Sequence, residues 1–417
     1  MALTAPNPLL RVEEIQGRGR GMVASQPLRA GQVVLRDSPI LLYSALPLIP
    51  QSSSTSSSPG FCDHCFRTLP GSSSMGGASS SSVSCPSCCH HRFCSSKCLS
   101  IAQNTSHTSW VCQALSHIRV NPALLELPLE CQVQVNFLIA AYNLANVSPT
   151  NFQTLLSLHG PPDDTTVAVA QFMHSLITPL SLFTSTSHQN IFSLELTAAL
   201  LAKDKLNAFG LMQPFSEDSD QRSVRAYGIY PYASFFNHDC LPNACRFDYV
   251  DTRSTDDNHN TDITIRMIHD VSEGREVCLS YFPVNENYSS RQKRLAEDYG
   301  FTCKCDRCNV EANWSDIESI EDDGAEDIEE AMDEDECENM AASDTESNPQ
   351  GDNSDFPHAY FFLKFMCQRK NCWGTLAPLP PQGNTPSNVM ECNVCGNLKS
   401  DNVLDGDGGQ DGVSMED

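Results

Sequence analysis

Asn237-His238-Asp239-Cys240-Leu241-Pro242-Asn243 is the stretch on which the fold turns, together with Glu276-Val277-Cys278-Leu279-Ser280-Tyr281 downstream. Alone, the first reads as a polar turn and the second as a buried strand carrying one tyrosine. Outward from them, β-prone runs stand at Val33-Val34-Leu35, at Ile40-Leu41-Leu42-Tyr43 and at Ile263-Thr264-Ile265-Arg266-Met267-Ile268, the last alternating as a half-buried strand does. Residues 122–207 are helical instead: Val135, Leu138, Ile139 and Tyr142 recur at a spacing of three to four, as do Phe192, Leu194, Leu196, Leu200 and Leu201 less cleanly. Residues 291–299 are a short helix candidate. Small strands interrupted by a helical block define an α+β chain, and 417 residues suffice for several units and a sizeable core.

The 20 cysteines are mostly paired at CxxC-like spacing. The chain starts MALTAPNPLLRVEEIQGRGR, without a charged-then-apolar leader, and has no apolar run of the roughly 18 residues that span a bilayer. A non-secreted, nuclear or cytoplasmic chain with paired cysteines reads as zinc-binding rather than disulfide-bonded. The first block supplies eight ligands for two tetrahedral ions: Cys62, Cys65, Cys85, Cys88, Cys94, Cys98, His107 and Cys112, with Cys89, His90 and His91 as spares near His107. Cys303, Cys305 and Cys308 make three ligands that need a fourth, which spacing does not name. Cys367, Cys372, Cys392 and Cys395 read as a small zinc ribbon, with Gly374 and Gly396 suited to knuckle turns. Three or four structural ions are expected.

The formal charge of −26 is uneven. Residues 316–355 hold 18 Asp and Glu and residues 401–417 hold 6, neither with any Lys or Arg, which leaves 28 acids against 26 bases in the body. A near-neutral body argues against direct nucleic-acid binding. The acidic runs read as solvated linkers that would also attract Lys-rich segments.

The order of the two opening segments, with Arg18-Gly19-Arg20-Gly21 upstream and CxCxxC downstream, resembles the SET-domain methyltransferases. The His90-His91-Arg92-Phe93-Cys94 block inside that sequence resembles a MYND zinc finger, so residues 8–312 are similar to the SET-and-MYND family. The resemblance implies a mostly-β SET fold with a pseudoknot. Its first part would be residues 8–50, split from the core at 207–283 by a MYND finger at 62–112 and a helical insert at 113–206. A post-SET zinc segment (284–312), an acidic disordered linker (313–357), a four-cysteine module (358–398) and an acidic tail (399–417) would follow.

The resemblance also implies S-adenosyl-L-methionine (SAM) as methyl donor and a lysine of a histone or other protein as acceptor. Gly19 and Gly21 would bring backbone close to the donor, with Arg18 and Arg20 flanking its carboxylate. Asn207, Ser234, Asn237 and His238 match donor-binding positions, Phe301 would lie near the adenine, and the Tyr281 hydroxyl would sit beside the transferring methyl. Interleaved pairing would put Cys62, Cys65, Cys94 and Cys98 on one ion and Cys85, Cys88, His107 and Cys112 on another. Cys240 would complete the Cys303, Cys305 and Cys308 site. The finger would contact protein partners.

Two departures stand out: Asp239 replaces the family's usual serine, and the large C-terminal helical-repeat domain of many relatives is absent. Asp239, with the long gap between Cys65 and Cys85 and the shifted spacing of His107 in the finger, motivates an alternative, a non-catalytic SET–MYND scaffold that recruits partners.

Overall fold

The computed structural model describes residues 8–48, 60–69, 82–183, 192–217, 222–251, 260–313, 359–383 and 385–400. The serine-rich stretch at 51–59, nearly all of the acidic linker and most of the acidic tail lie outside the described residues.

Strands β1 (Leu10–Ile15) and β2 (Gly19–Ala24) form an antiparallel hairpin whose register closes at Ile15 and Gly19. Its turn needs glycine, since Gly17 has φ +76° and Gly19 φ +70°. The next two strands, β3 (Val33–Asp37) and β4 (Leu41–Ser44), part company and enter different sheets. Their partners come from far along the chain.

The residues between hold a two-stranded ribbon, β5 (Val83–Ser84) and β6 (Arg92–Phe93), followed by helices α1 (Ser96–Asn104) and α2 (Ser109–Arg119). Cys112, the last ligand of the expected finger, lies within α2, so the boundary expected at 112/113 cuts a continuous helix. After α3 (Pro122–Leu125) come α4 (Leu129–Val147), α5 (Pro149–Ser157), α6 (Asp164–Ile177) and α7 (Leu194–Asn207). Thr108, Asp163 and Ser193 each accept a backbone N–H three residues on, which fixes where α2, α6 and α7 begin. Helix α4 is buried on most of its circumference, so it is the centre of the bundle rather than a surface helix. Val135, Phe137, Leu138 and Tyr142 pack there with Leu41, Tyr43 and Ile229, and the helical block therefore shares one core with the β4 sheet.

Helix α7 runs straight into β7 (Ala208–Met212), which pairs with β8 (Val224–Ile229), and β8 pairs in turn with β4. The second sheet has β10 (Ile263–Met267) between β3 and β9 (Ala244–Asp248). Beyond α8 (Tyr288–Arg294) and α9 (Asp306–Glu311), a helix at Ala359–Phe365 precedes a third sheet of β11 (Leu376–Pro378), β12 (Val389–Cys392) and β13 (Leu398–Ser400).

Residues 277–282, expected as a strand, form no regular ladder. They are extended backbone shared between two neighbours. Val277 N–H donates to Met22 O (2.8 Å) on the β2 side, while on the other Leu279 N–H donates to Asn237 O (3.0 Å) and Leu279 O accepts from Asp239 N–H (2.9 Å). Asn243 closes the join with its side chain, donating to Glu276 O and accepting from Cys278 N–H, both at 2.8 Å. The segment is thus held between β2 and residues 237–244, with one parallel bridge at His238 and Leu279. Among the described residues no helix is long and apolar enough to cross a membrane.

Candidate active site and metal centres

Where these segments meet, a cavity of about 1050 Å³ opens. Of the expected site residues, Arg18, Gly19, Arg20, Asn207, Ser234, Asn237, His238, Tyr281 and Phe301 line it. Gly21 does not. A Cβ there would lie 2.4 Å from Ile15 Cδ1 and 2.8 Å from Asn237 Nδ2 and Glu276 Oε1, so Gly21 is demanded by the chain's own packing rather than by approach to a ligand. At Gly19 a Cβ meets nothing within 4 Å, and only the backbone turn requires glycine.

Each polar group is positioned by a specific partner. The Asp37 carboxylate, at the end of β3, accepts the Tyr232 and Ala233 N–H groups at 2.8 Å and pins the short turn that leads into Ser234. Burial raises that carboxyl to about 6, with the two N–H bonds pulling the other way. Asn207, the last residue of α7, spends its amide hydrogens on His159 O (2.7 Å) and Lys203 O (2.8 Å), which leaves Oδ1 as its remaining polar atom. Arg18 pairs with Glu276 at 2.8 Å and donates to His238 O at 2.6 Å. Arg20 donates to Ser157 O at 3.0 Å and lies over the Phe235 ring. Both guanidiniums thus sit at the cavity but are engaged with the protein, where flanking positions for a ligand carboxylate were expected. Glu276 also accepts from Asn237 Nδ2 at 2.7 Å, so a single carboxylate ties the glycine turn to the 237–243 segment.

His238 is buried, and burial with Arg18, Arg291 and Arg307 nearby lowers its imidazole to about 3, so the ring is neutral. Its Nδ1 accepts the Tyr281 N–H at 3.1 Å. The Tyr281 hydroxyl donates to Phe236 O at 3.0 Å, and burial, then Tyr299, pushes the phenol well above its ordinary range, so it keeps its proton. The Tyr281 and Tyr299 rings lie 4.8 Å apart and inclined at 45°. Asp239 faces the cavity with Oδ1 accepting Leu241 N–H at 2.9 Å, and burial raises its carboxyl. The residue that departs from the family pattern therefore caps a backbone turn and is not turned to open solvent.

Sequence reasoning missed Tyr299 and the Leu158–His159 wall contributed by the helical block. The helix expected over 291–299 starts earlier, at Tyr288, and from Leu295 to Tyr299 widens into a π turn that Gly300 ends at φ +75°. That widening sets the direction of Tyr299, and such turns recur at functional sites. Three apolar residues in a helical pattern do not announce it.

Among the described residues four groups of potential metal ligands form, each with its ligand atoms within 4.8 Å of one another: Cys62, Cys65, Cys94 and Cys98; Cys85, Cys88, His107 and Cys112; Cys240, Cys303, Cys305 and Cys308; Cys367, Cys372, Cys392 and Cys395. No disulfide joins the described cysteines. A tetrahedral ion with Zn–S bonds of about 2.3 Å requires sulfurs about 3.8 Å apart. The separations fit: 3.7 Å for Cys65 and Cys94, 3.9 Å for Cys85 and Cys112, 3.4 Å for Cys240 and Cys308, 3.5 Å for Cys372 and Cys392. Burial and His91 lower His107 to about 4, which keeps the imidazole in its ligating, neutral form. The spares stand aside, Cys89 exposed and His91 against Asp63 at 3.2 Å.

The third group differs from the others in its setting. Cys303 and Cys305 line the cavity. Fully buried Arg291 donates to Cys240 Sγ (3.3 Å) and Cys308 Sγ (3.6 Å) and to Glu311 (2.7 Å), and Arg307 holds the other Glu311 oxygen at 2.5 Å. Four thiolates around a divalent ion leave two net negative charges, and a guanidinium donating to sulfur offsets them.

A family model described as SET domain matches residues 19–282. The chain is 54% identical over 411 residues to a protein named Histone-lysine N-methyltransferase ASHR2 of Arabidopsis thaliana, covering 95% of this chain and 97% of that one. It is 32% identical over 133 residues to Protein-lysine N-trimethyltransferase SMYD5 of Gallus gallus, which is 30% of either chain. Among solved structures, the SET domain of LSMT bound to lysine and AdoHcy covers 72% of this chain and 54% of that chain, with 15% identity and a TM-score of 0.32. The chain belongs to the SET-domain family, in its SET-and-MYND group of SAM-dependent protein-lysine methyltransferases.

Proposed function

We propose that the chain methylates the ε-amine of a lysine in a basic protein segment, histone tails included, with the cavity at Arg18, Asn207, Ser234–His238 and Tyr281 as the donor site. The observation that carries this is the convergence of four distant segments, each pinned by its own hydrogen bonds, on one cavity next to a half-buried, protonated tyrosine. When bound, SAM supplies an already electrophilic methyl group on a sulfonium. The neutral His238 adds no positive charge beside that cation. The Asn207 Oδ1 and the backbone of residues 17–20 are polar groups at the cavity that can hold the donor. Tyr281 and Tyr299 offer ring faces that attract a lysine cation on entry, and a dry aromatic wall then favours its neutral, nucleophilic form. Tyr281 fixes the line of approach, which converts binding into rate.

The first three ligand groups hold structural zinc in this reading, because four protein ligands leave no open position. The finger serves protein contacts, the acidic run at 316–355 attracts basic substrates, and the work is nuclear or cytoplasmic. Transfer from labelled donor to histones and a lysine-peptide array tests the proposal. Labelling that Tyr281→Phe abolishes supports it. Zinc-loaded protein without a donor-induced thermal shift sinks it and leaves the scaffold reading. Deletion of 316–355 should flatten the salt dependence of labelling.

A further inference from the structure

Residues 359–400 are not a loose appendage. Phe361, Phe365, Cys367, Leu376, Ala377 and Met390 bury themselves against Cys245, Phe247, Ile268 and Val284 and complete a third core. The join is polar as well as apolar. Arg266 on β10, almost wholly buried, pairs with Glu391 at 2.9 Å while its guanidinium lies 3.7 Å from the centre of the Phe247 ring. Asn393 donates to Arg246 O at 3.1 Å. Gly31, between β2 and β3, comes so close that a Cβ there would stand 2.3 Å from Leu379 O.

Such a segment is too short to hold this shape with its own core. Its four cysteine sulfurs lie within 4.8 Å of one another, with Cys367 and Cys395 at 3.7 Å and Cys372 and Cys392 at 3.5 Å. Backbone geometry is that of a metal knuckle. Val394 N–H points to Cys392 Sγ at 3.4 Å, Gly396 turns the chain at φ +69°, and Gly374 passes Cys392 Sγ so closely that a Cβ would collide at 2.3 Å.

We propose that Cys367, Cys372, Cys392 and Cys395 bind a fourth zinc ion, and that the module so formed braces the post-SET metal site through Phe362 and Arg307. The Arg307 guanidinium lies 4.6 Å from the centre of the Phe362 ring. The same guanidinium donates to Val284 O at 2.6 Å and Glu286 O at 3.1 Å and pairs with Glu311, whose second oxygen holds Arg291 on the Cys240 and Cys308 sulfurs. The path from the module to the post-SET ligands Cys240 and Cys308 is thus a series of direct contacts. The proposal is independent of the transfer reaction.

Native mass spectrometry of the full chain should count four zinc ions, and three in Cys372→Ser/Cys392→Ser. Hydrogen exchange over residues 284–311 should then quicken about tenfold as the brace is lost. Phe362→Ser, which leaves every ligand in place, should keep four ions and quicken exchange in the same residues about threefold. Three ions in the wild-type chain, or four in the double variant, would overturn the metal site. Unchanged exchange over 284–311 in Phe362→Ser would overturn the brace, even if the double variant fails to fold.

Discussion

The finger clusters and the post-SET cluster share one ligand chemistry and sit in opposite surroundings. Around the finger ligands lie Leu69, Phe93 and Ala102, and none of the eight ligands lines the cavity. Around the post-SET ligands lie Arg291, Arg307 and His238, and two of the four ligands are cavity wall. The same ion can therefore serve folding in one place and the shape of a reaction site in the other. The difference lies in what the sulfurs touch.

The largest effect should come from Cys305→Ser. It removes a ligand and a piece of wall together, so labelling should fall by more than about 100-fold and donor binding by isothermal titration should vanish. Retained donor binding would erase the contrast. Tyr281→Phe should come next, with kcat down about 100-fold, zinc content unchanged and donor affinity within a factor of about two. Equal losses in kcat and donor affinity would mean that the hydroxyl shapes the cavity rather than the reaction.

Glu311→Leu strips two buried guanidiniums of their shared carboxylate partner, and unfolding free energy should drop by about 3–5 kcal/mol. A drop under 1 kcal/mol would remove the charged setting from the comparison. Cys88→Ser in the finger should release an ion yet lower labelling by less than about threefold, and a collapse of labelling would make the two centres alike.

A further effect is on pH. The Asp37 carboxyl titrates near 6 when folded and near 3.9 when unfolded. A raised acid stabilises the fold when protonated, so its contribution is complete below pH 4 and lost as pH rises through 6. The stability difference between wild type and Asp37→Asn should shift by about 2–3 kcal/mol between pH 4 and pH 7, in the direction that favours wild type at low pH. A flat difference would show that burial does not raise the Asp37 carboxyl.

Much of this was legible in sequence because it is local. Metal-ligand spacing is written in CxxC pairs, amphipathic periods mark the helical block, and the order of residues 237–243, 276–281 and 303–308 marks the family. Gly21 was assigned to the wrong cause, because a glycine forced by Ile15, Asn237 and Glu276 looks the same in sequence as one forced by a ligand. Arg18 and Arg20 were expected to flank the donor's carboxylate, and their protein partners Glu276 and Ser157 were not legible because these lie far along the chain.

The chain's own order thus determined the metal-ligand spacings and the segments that mark the family, since coordination number and backbone freedom are properties of residue types at short range. Only the tertiary structure decided what each of them faces. It set Tyr299 across from Tyr281 through a π turn, put Arg291 and Glu311 beneath the Cys240 site, and seated the C-terminal cysteines on Phe247 and Val284. Those outcomes depend on contacts between segments separated by tens to hundreds of residues, and burial, which sets both protonation and partner, exists only once those segments meet.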